Sequence, residues 1–332
     1  MEKQNITDLT EGSPLRLLVG FTVPLLFGFL FQQFYNMVDT IVVGKFLGVA
    51  ALAGVGSTAA VNFLILGFCN GICAGFTIPI AQYFGRKDYR GLRQMIGNIF
   101  WLSLGFAAVI TITVCLLCRR LLLWMHTPTE TFPYAYTYIL IIFMGIPSII
   151  LYNILSGIIR SLGDSRTPVF FLIFSSILNI LLDLVLILWV HMGVAGAAAA
   201  TVISQVVSGL LCLVHMVRSY PILRMERPDW KLHGRYCRLL LGMGLPMGLQ
   251  YSITAIGSTI LQISINSLGP SAMAAVTAAA QIKALMVCPY DAIGTAAATY
   301  TGQNIGAGKL DRVNQGTKIN FSLAAHTVFS PF

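Results

Sequence analysis

Charged residues are scarce in this sequence. Only 10% of its 332 residues are Asp, Glu, Lys or Arg, whereas hydrophobic residues make up 56%. A soluble globular domain carries about 25% charged residues, so this composition argues against a soluble protein. Apolar runs of about 20 residues recur along the chain, and that length crosses the hydrocarbon core of a bilayer as a helix. The sequence therefore predicts an all-α polytopic membrane protein.

Signatures of catalysis, metal binding and disulfide formation are also missing. The five histidines are scattered without the spacing of metal ligands. The segment GAGK (306–309) lacks the glycine and Ser/Thr positions of a phosphate-binding loop. The seven cysteines, an odd number in mostly apolar segments, are expected to be free thiols. Since no nucleophile–base pair stands out, we predict neither enzymatic activity nor a cofactor.

Eight membrane spans and the beginning of a ninth are predicted from the apolar runs and the polar breaks between them. The spans are expected at 15–43, 51–83, 94–118, 134–159, 168–190, 194–217, 238–266 and 272–302, with a ninth beginning near 313.

Basic residues occur mainly on alternate sides of these spans. If the N-terminus is cytosolic, the cytosolic side holds all of the 21 Lys and Arg residues except Lys45, Arg119, Arg120 and Lys283. This asymmetry is the positive-inside pattern of membrane proteins. The net charge of +9 is therefore attributed to topology, and the expected partner is the lipid bilayer rather than nucleic acid.

A repeat divides the chain into two halves. FLGVAALAGV (46–55) aligns with SLGPSAMAAV (267–276), and the same offset places AQYFGRK (81–87) over GQNIGAG (302–308). An even number of spans per unit makes the repeat parallel, an arrangement that transporters use. We therefore predict a six-helix lobe at 1–217, a cytosolic linker at 218–237 and an incomplete second lobe at 238–332. The pattern implies a truncated twelve-span protein, of which about eight or nine helices are present.

Of the 12 acidic residues, only Asp39, Asp183 and Asp291 fall within predicted spans. A carboxylate at a helix centre costs about 2.5–3.5 kcal/mol on insertion scales, and such residues usually mark ion pathways. Counted from the predicted outer ends of their spans, Asp39, Asp183 and Thr201 lie about 7–11 Å below the outer surface. The three residues are therefore expected at one depth.

Polar residues form one stripe on each of three spans, at the spacing i, i+4, i+7 that places side chains on one helix face. The stripes are Gln32, Asn36 and Asp39 on span one, Ser176, Asn179 and Asp183 on span five, and Thr201, Gln205 and Ser208 on span six. Together they predict a hydrated pocket inside the first lobe. Two carboxylates in such a pocket would couple it to protons, and its oxygen atoms also suit Na⁺. The alternative is that these polar groups only tie helices together.

Three segments resemble the multidrug and toxic compound extrusion (MATE) family of bacterial transporters. They are QQFYNMVDTIVVGKFLG (32–48), the turn RSLGDSRTP (160–168) and NILLD (179–183). The resemblance implies a two-lobe fold in the bacterial cell membrane that exports organic cations in exchange for H⁺ or Na⁺, as a monomer when complete. It also implies a cation site at Asp39, Asn179, Asp183 and Thr201, with Asn153 as a weaker addition.

Further residues are assigned without the family resemblance. Lys283 and Asp291 on span eight are about 80° apart around the helix, so they are expected to line the pocket or contact substrate rather than to pair directly. Thr167 is expected to cap span five. GICAG (71–75) and GLPMG (244–248) are expected to be packing faces.

Two other functions remain open. A flippase for lipid-linked saccharides would need a buried Arg or Lys for the pyrophosphate, and the first six spans carry none beyond their ends. A channel or a non-transporting scaffold would show no coupling between ion flux and substrate flux.

Overall fold

The computed structural model describes residues 6–125, 127–266 and 270–329, with side chains at all of these except 259, 262–275, 277–278, 281 and 328–329. Ten α-helices lie within these ranges: α1 (Pro14–Ser57), α2 (Ala59–Gly85), α3 (Tyr89–Trp124), α4 (Phe132–Met144), α5 (Ile146–Ser161), α6 (Arg166–Leu184), α7 (Val194–Ser219), α8 (Gly234–Asn266), α9 (Pro270–Gly306) and α10 (Leu310–Phe329). A π-helix (Val185–Trp189) follows α6, and two 3-10 helices (Pro221–Leu223 and Arg227–Trp230) follow α7.

Six of the described helices are long and apolar enough to cross a membrane by length and composition, or seven if α4 and α5 form one span. These seven correspond to the first seven predicted spans. The segments predicted as spans eight and nine form α9 and α10. Within the described ranges, neither helix is among the six or seven that are long and apolar enough to cross a membrane. Both carry polar and charged side chains along their length, including Asp291 on α9 and Lys318 on α10.

The first helix is longer than its predicted span. The span was expected to end near Gly44, but α1 continues to Ser57 and departs from helical geometry only at Gly48, where φ is +85°. Glycine tolerates this conformation because it has no Cβ. Asp39 therefore lies about 13 Å along the helix from the kink at Gly48, and the predicted end of the span at Gly44 was placed too early.

The predicted fourth span is bent. Its two parts, α4 and α5, meet at an angle of 46° after Met144. Pro147 occupies the first turn of α5, where its missing N–H and its ring prevent α4 from continuing as a straight helix. The sequence contains this proline, but the predicted span treated 134–159 as one element.

Glycines allow α2 to approach α8 closely. A Cβ on Gly71 would lie 2.6 Å from the carbonyl oxygen of Met247, and a Cβ on Gly75 would lie 2.6 Å from the Cα of Gly244. GICAG on α2 and GLPMG on α8 thus pack against each other, as expected for small-residue patterns.

Repeat-related residues meet where α2 and α9 cross. A Cβ on Gly85 would collide with the carbonyl of Gln303, and a Cβ on Gly306 would collide with the carbonyl of Gln82. The sequence repeat pairs Gln82 with Gln303 and Gly85 with Gly306, so the two halves contact each other symmetrically at this crossing. Residues 267–269 of the other repeat block lie outside the described residues.

The segment predicted as a linker, 218–237, packs on α3. The Arg93 guanidinium forms an ion pair with Asp229 at 3.0 Å, and the Trp101 indole donates a hydrogen bond to the carbonyl of Trp230 at 3.0 Å. The Asn98 side chain accepts a hydrogen bond from the backbone N–H of His233. These contacts fix the segment between α7 and α8 to the first half of the chain.

All seven cysteines are free, in agreement with the sequence analysis. Five of them are buried, namely Cys69, Cys73, Cys118, Cys212 and Cys288.

Candidate functional site

Four helices of the first half, α1, α4, α6 and α7, pack around two acidic side chains. Asp39 comes from α1 and is partly buried, whereas Asp183 comes from the last turn of α6 and is 0% exposed. A π-helix begins two residues after Asp183, and single π turns inside helices are frequent at functional sites.

The carboxylates of Asp39 and Asp183 lie close enough to interact with each other. Both oxygens of Asp183 and Oδ1 of Asp39 are buried without a hydrogen-bond donor from the described residues. Two carboxylates can hydrogen-bond only if one of them carries a proton, and two adjacent charges in a medium of low dielectric constant repel each other. The pair therefore suits a shared proton or a bound cation.

Asn179 and Thr201 complete the polar lining beside the acids. The Asn179 amide nitrogen donates to the Thr201 hydroxyl at 3.4 Å, and that hydroxyl donates to the carbonyl of Ala197 at 3.2 Å. The side-chain oxygen of Asn179 is buried and accepts no hydrogen bond from the described residues. Carboxylate, amide and hydroxyl oxygens are the ligands that hard cations prefer. The structure thus brings together the four residues Asp39, Asn179, Asp183 and Thr201.

Two tyrosines also belong to this pocket, and the sequence analysis missed both. The Tyr35 side chain interacts with Asp39, Asp183 and Thr201, and the buried Tyr138 of α4 interacts electrostatically with the two acids. Tyr35 is four residues before Asp39, so helical periodicity could have placed it on the same face. Tyr138 carries no such signal, because only tertiary packing brings α4 to the acids.

The other members of the predicted stripes have different positions. Asn36 is exposed and Gln32 is half-buried. Ser176 is buried, but its hydroxyl donates to the carbonyl of Leu172 in its own helix at 2.8 Å. Its role in the structure is therefore an intrahelical hydrogen bond.

Two more predicted pocket residues lie on α7 and α5. The side-chain oxygen of Gln205 is buried without a hydrogen-bond partner among the described residues. The Asn153 amide donates to the Asn70 side chain of α2 at 3.1 Å and to the carbonyl of Ile149 at 2.9 Å. The hydrogen bonds of Asn153 thus connect α5 to α2.

A separate cavity of about 330 Å³ lies between the two halves of the chain. It is lined by residues of α1, α2, α5, α8 and α9, among them Arg160, Tyr251, Tyr290 and Asp291. Lys283 is exposed and does not line this cavity. The sequence analysis counted Arg160 only among the basic residues of the cytosolic side, whereas the structure places it on the cavity wall.

Long apolar helices, a symmetric crossing of repeat-related segments, a buried acid pair and a cavity between the halves are features of an α-helical membrane transporter rather than of an enzyme. Comparisons with known proteins agree with this class. The chain belongs to the MATE family of bacterial transporters, because the MatE family model matches residues 24–185 and 246–329.

Several curated bacterial proteins are similar in sequence. The probable multidrug resistance protein YpnP of Bacillus subtilis is 31% identical over 308 residues, which cover 92% of this chain and 68% of YpnP. YoeA of the same organism, also a probable multidrug resistance protein, is 30% identical over 95% of this chain and 69% of its own length. A FAD transporter of Shewanella oneidensis is 23% identical over 90% of this chain and 67% of its own length.

Solved structures of transporters of the MOP superfamily share the fold. An outward-facing MATE transporter of the MOP superfamily matches with a TM-score of 0.90 and 27% identity, covering 98% of this chain and 72% of that one. A MOP superfamily transporter from Pyrococcus furiosus, described as having a binding pocket of reverse polarity, matches with a TM-score of 0.89 and 27% identity over 98% of this chain and 72% of that one.

Proposed function

We propose that this chain acts in ion-coupled antiport, exporting amphipathic organic cations from the bacterial cell in exchange for H⁺ or Na⁺. The observation that carries the proposal is the facing pair Asp39 and Asp183, which has three buried oxygens without a donor from the described residues. A site of this kind is stable when a proton or Na⁺ neutralises it and unstable when it is empty. Its occupancy can therefore bias the conformation of the transporter.

The coupling site and the substrate cavity are distinct in this proposal. Asp39 and Asp183 lie among α1, α4, α6 and α7, whereas the cavity lies between the halves. We propose that the lobes 1–217 and 238–332, joined by 218–237, move relative to each other during transport, with the N-terminus in the cytosol and a monomer, when complete, as the transporting unit. Binding of H⁺ or Na⁺ at Asp39, Asn179, Asp183 and Thr201 then shifts the side to which the cavity opens.

The first prediction tests the coupling site with Asp39→Asn and Asp183→Asn. Each amide keeps the shape of the carboxylate but cannot release a proton or balance a cation. We expect each variant to lower ion-driven dye export at least tenfold in cells or proteoliposomes, at matched abundance in the membrane. The matched control is Asp311→Asn, the same chemical change at an exposed position on α10, which should retain full export.

Wild-type export by both pocket variants, alongside normal export by the control, would contradict coupling at this acid pair. To identify the ion, export is driven by a proton gradient alone and then by a Na⁺ gradient alone. If neither gradient drives export, but the dye still crosses the membrane down its own concentration gradient, the result would favour the alternative that the protein is a channel.

The saccharide flippase also has an observation in its favour. Arg160 lines the interlobe cavity, where a guanidinium could bind pyrophosphate. The absence of cationic side chains inside the first six predicted spans therefore does not argue against this function. The two functions differ in whether the transported molecule carries positive charge.

A further inference from the structure

An open pocket with three arginines lies where the end of α2 meets the beginning of α8. Arg86 follows the last residue of α2, and Arg235 and Arg238 are among the first five residues of α8. All three side chains are exposed, and the pocket has a volume of about 900 Å³. We call it the arginine pocket. Its arginines belong to the basic residues predicted on the cytosolic side, so the pocket lies at the cytosolic membrane surface in the proposed topology.

The positive charge of the arginine pocket is not balanced by acidic side chains. Among the described residues, no carboxylate lies within 4.0 Å of Arg86, Arg235 or Arg238. Asp88, two residues after Arg86, caps α3 by accepting a backbone N–H at 2.9 Å. The Arg86 guanidinium lies over the ring of Tyr83, 5.4 Å from its centre. A bound anion would therefore neutralise charge that the described part of the chain leaves unpaired.

The beginning of α8 adds backbone donors to the same pocket. Gly234, the first residue of α8, lines it together with the edge-to-face rings of Tyr83 and Tyr236. The first N–H groups of a helix have no partner within the helix and attract anions. Guanidinium groups bind phosphate through parallel hydrogen bonds. The combination of a helix beginning with three arginines therefore suits a phosphate group.

An apolar groove continues from the arginine pocket along α8. It has a volume of about 620 Å³, shares Arg238 with the pocket and is lined further along by Leu241, Leu245 and Pro246. One turn beyond, Leu249 is 54% exposed. This groove lies within the predicted seventh span, at the depth of lipid acyl chains. A phosphate site that opens onto such a groove fits a phospholipid better than a free phosphate ion.

The sequence repeat provides an internal comparison. The aligned segments AQYFGRK and GQNIGAG pair Arg86 with Ala307. Aligning the internal proline of α1 with that of α8 pairs Arg235 with Ser13. The equivalent helices α1 and α9 thus pack against each other without these two arginines. Helix packing in this fold therefore does not require them, which favours a ligand-binding role.

We propose that the arginine pocket binds the headgroup of an anionic phospholipid whose acyl chain lies in the groove of α8. The proposal is independent of the antiport function. Because α2 belongs to the first half of the chain and α8 to the second, such a lipid contacts both halves and stabilises their contact.

Lipid titration followed by native mass spectrometry tests this proposal. The chain is purified in detergent and titrated with phosphatidylglycerol, which is anionic, or with phosphatidylethanolamine of identical acyl chains. We expect at least about fivefold tighter binding of phosphatidylglycerol, because the arginines repel the ammonium group of phosphatidylethanolamine. Soluble glycerol 3-phosphate in moderate excess should not displace the lipid, since it has no acyl chain for the groove.

Arg235→Gln combined with Arg238→Gln should weaken binding of phosphatidylglycerol at least about fivefold and change binding of phosphatidylethanolamine less than about twofold. The matched control is Arg119→Gln combined with Arg120→Gln. It removes two exposed arginines from the opposite end of α3 and should change neither affinity.

The groove is tested by Leu241→Ala combined with Leu245→Ala. This change should weaken binding of both phospholipids by a similar factor, because both place an acyl chain there. Unchanged affinities would overturn the placement of the chain. If the variant that lacks both arginines of α8 does not fold, Arg86→Gln on the opposite wall decides. A reduced preference for phosphatidylglycerol would support the site, and an unchanged preference would overturn it.

Equal wild-type affinity for the two phospholipids would overturn the proposal. An equal loss in the α3 control would overturn it as well, because it would show that the lipid responds to net charge rather than to this pocket. Displacement of phosphatidylglycerol by glycerol 3-phosphate would show that the pocket binds phosphate anions without using the groove, and would also contradict a lipid site.

Discussion

A single side chain, Asp164, organises the turn RSLGDSRTP between α5 and α6. Its carboxylate accepts hydrogen bonds from the backbone N–H groups of Arg166 and Thr167, from the Thr167 hydroxyl at 2.6 Å and from the Tyr220 hydroxyl at 2.7 Å. Thr167 had been predicted as the helix cap, but Asp164 satisfies the first N–H groups of α6. Burial, followed by the hydrogen bond to Asp164, raises the pKa of Tyr220, so its hydroxyl remains a donor.

We therefore predict that Asp164→Ala destabilises the protein by about 2–4 kcal/mol, because several buried donors lose their acceptor. Tyr220→Phe should cost only about 1 kcal/mol, since it removes one of these hydrogen bonds. The thermal midpoint in detergent, followed by intrinsic fluorescence, measures both effects. The control is Tyr89→Phe at an exposed tyrosine. A Tyr220→Phe loss as large as that of Asp164→Ala would mean that packing of the ring dominates.

At the scale of elements, helix α2 depends on glycine for its contact with the second half of the chain. Gly71 and Gly75 face α8, and Gly85 faces α9. An added methyl group at any of these positions would meet backbone atoms, which cannot rotate away as a flexible side chain can. The separation of the helices is therefore fixed by residues that contribute no side chain.

Gly75→Ala should consequently destabilise the protein by about 1–3 kcal/mol through overpacking against α8. Gly105→Ala is the matched control on α3, because nothing lies within 4 Å of its added Cβ. The control should be neutral or stabilising by up to about 1 kcal/mol, since alanine is the better helix former. A lower thermal midpoint in Gly75→Ala, together with an unchanged or higher midpoint in Gly105→Ala, would confirm the prediction. A higher thermal midpoint in Gly75→Ala would contradict the close helix contact.

At the scale of the whole molecule, the described N-terminal segment connects both halves. The backbone N–H of Leu9 donates to the Gln303 side chain at 2.9 Å, and the Gln303 amide donates to the carbonyl of Ser161 at 2.8 Å. The Arg312 guanidinium adds a hydrogen bond to the carbonyl of Gly12 at 2.9 Å. Gln303, which is 0% exposed, therefore joins the N-terminal segment, α5 and α9 in one network.

Gln303→Ala should lower the stability of the protein by about 2–4 kcal/mol, because two buried backbone groups lose their partner. The N-terminal segment should also become more accessible to protease. The control is Gln315→Ala, at an exposed glutamine of α10, for which we expect a change below about 0.5 kcal/mol. Unchanged protease cleavage in Gln303→Ala would show that the other hydrogen bonds hold the segment alone.

Much of the architecture could be predicted from the sequence because a bilayer leaves few options. A chain with so few charges and such long apolar runs must satisfy its backbone hydrogen bonds internally, and this dictates helices. The same constraint makes Asp39 and Asp183 conspicuous, since an acid among apolar residues is costly. Asn179 was predicted with them because it lies on the same helix face as Asp183.

Tertiary structure alone decided the positions of Tyr138 and Arg160. Tyr138 reaches the acids only because α4 packs on α1, and Arg160 lines the cavity only because α5 faces the second half of the chain across it. The bend before Pro147 and the glycine contacts of α2 set these positions. Periodicity identifies the face of one helix that carries polar groups, but packing between helices determines what that face meets.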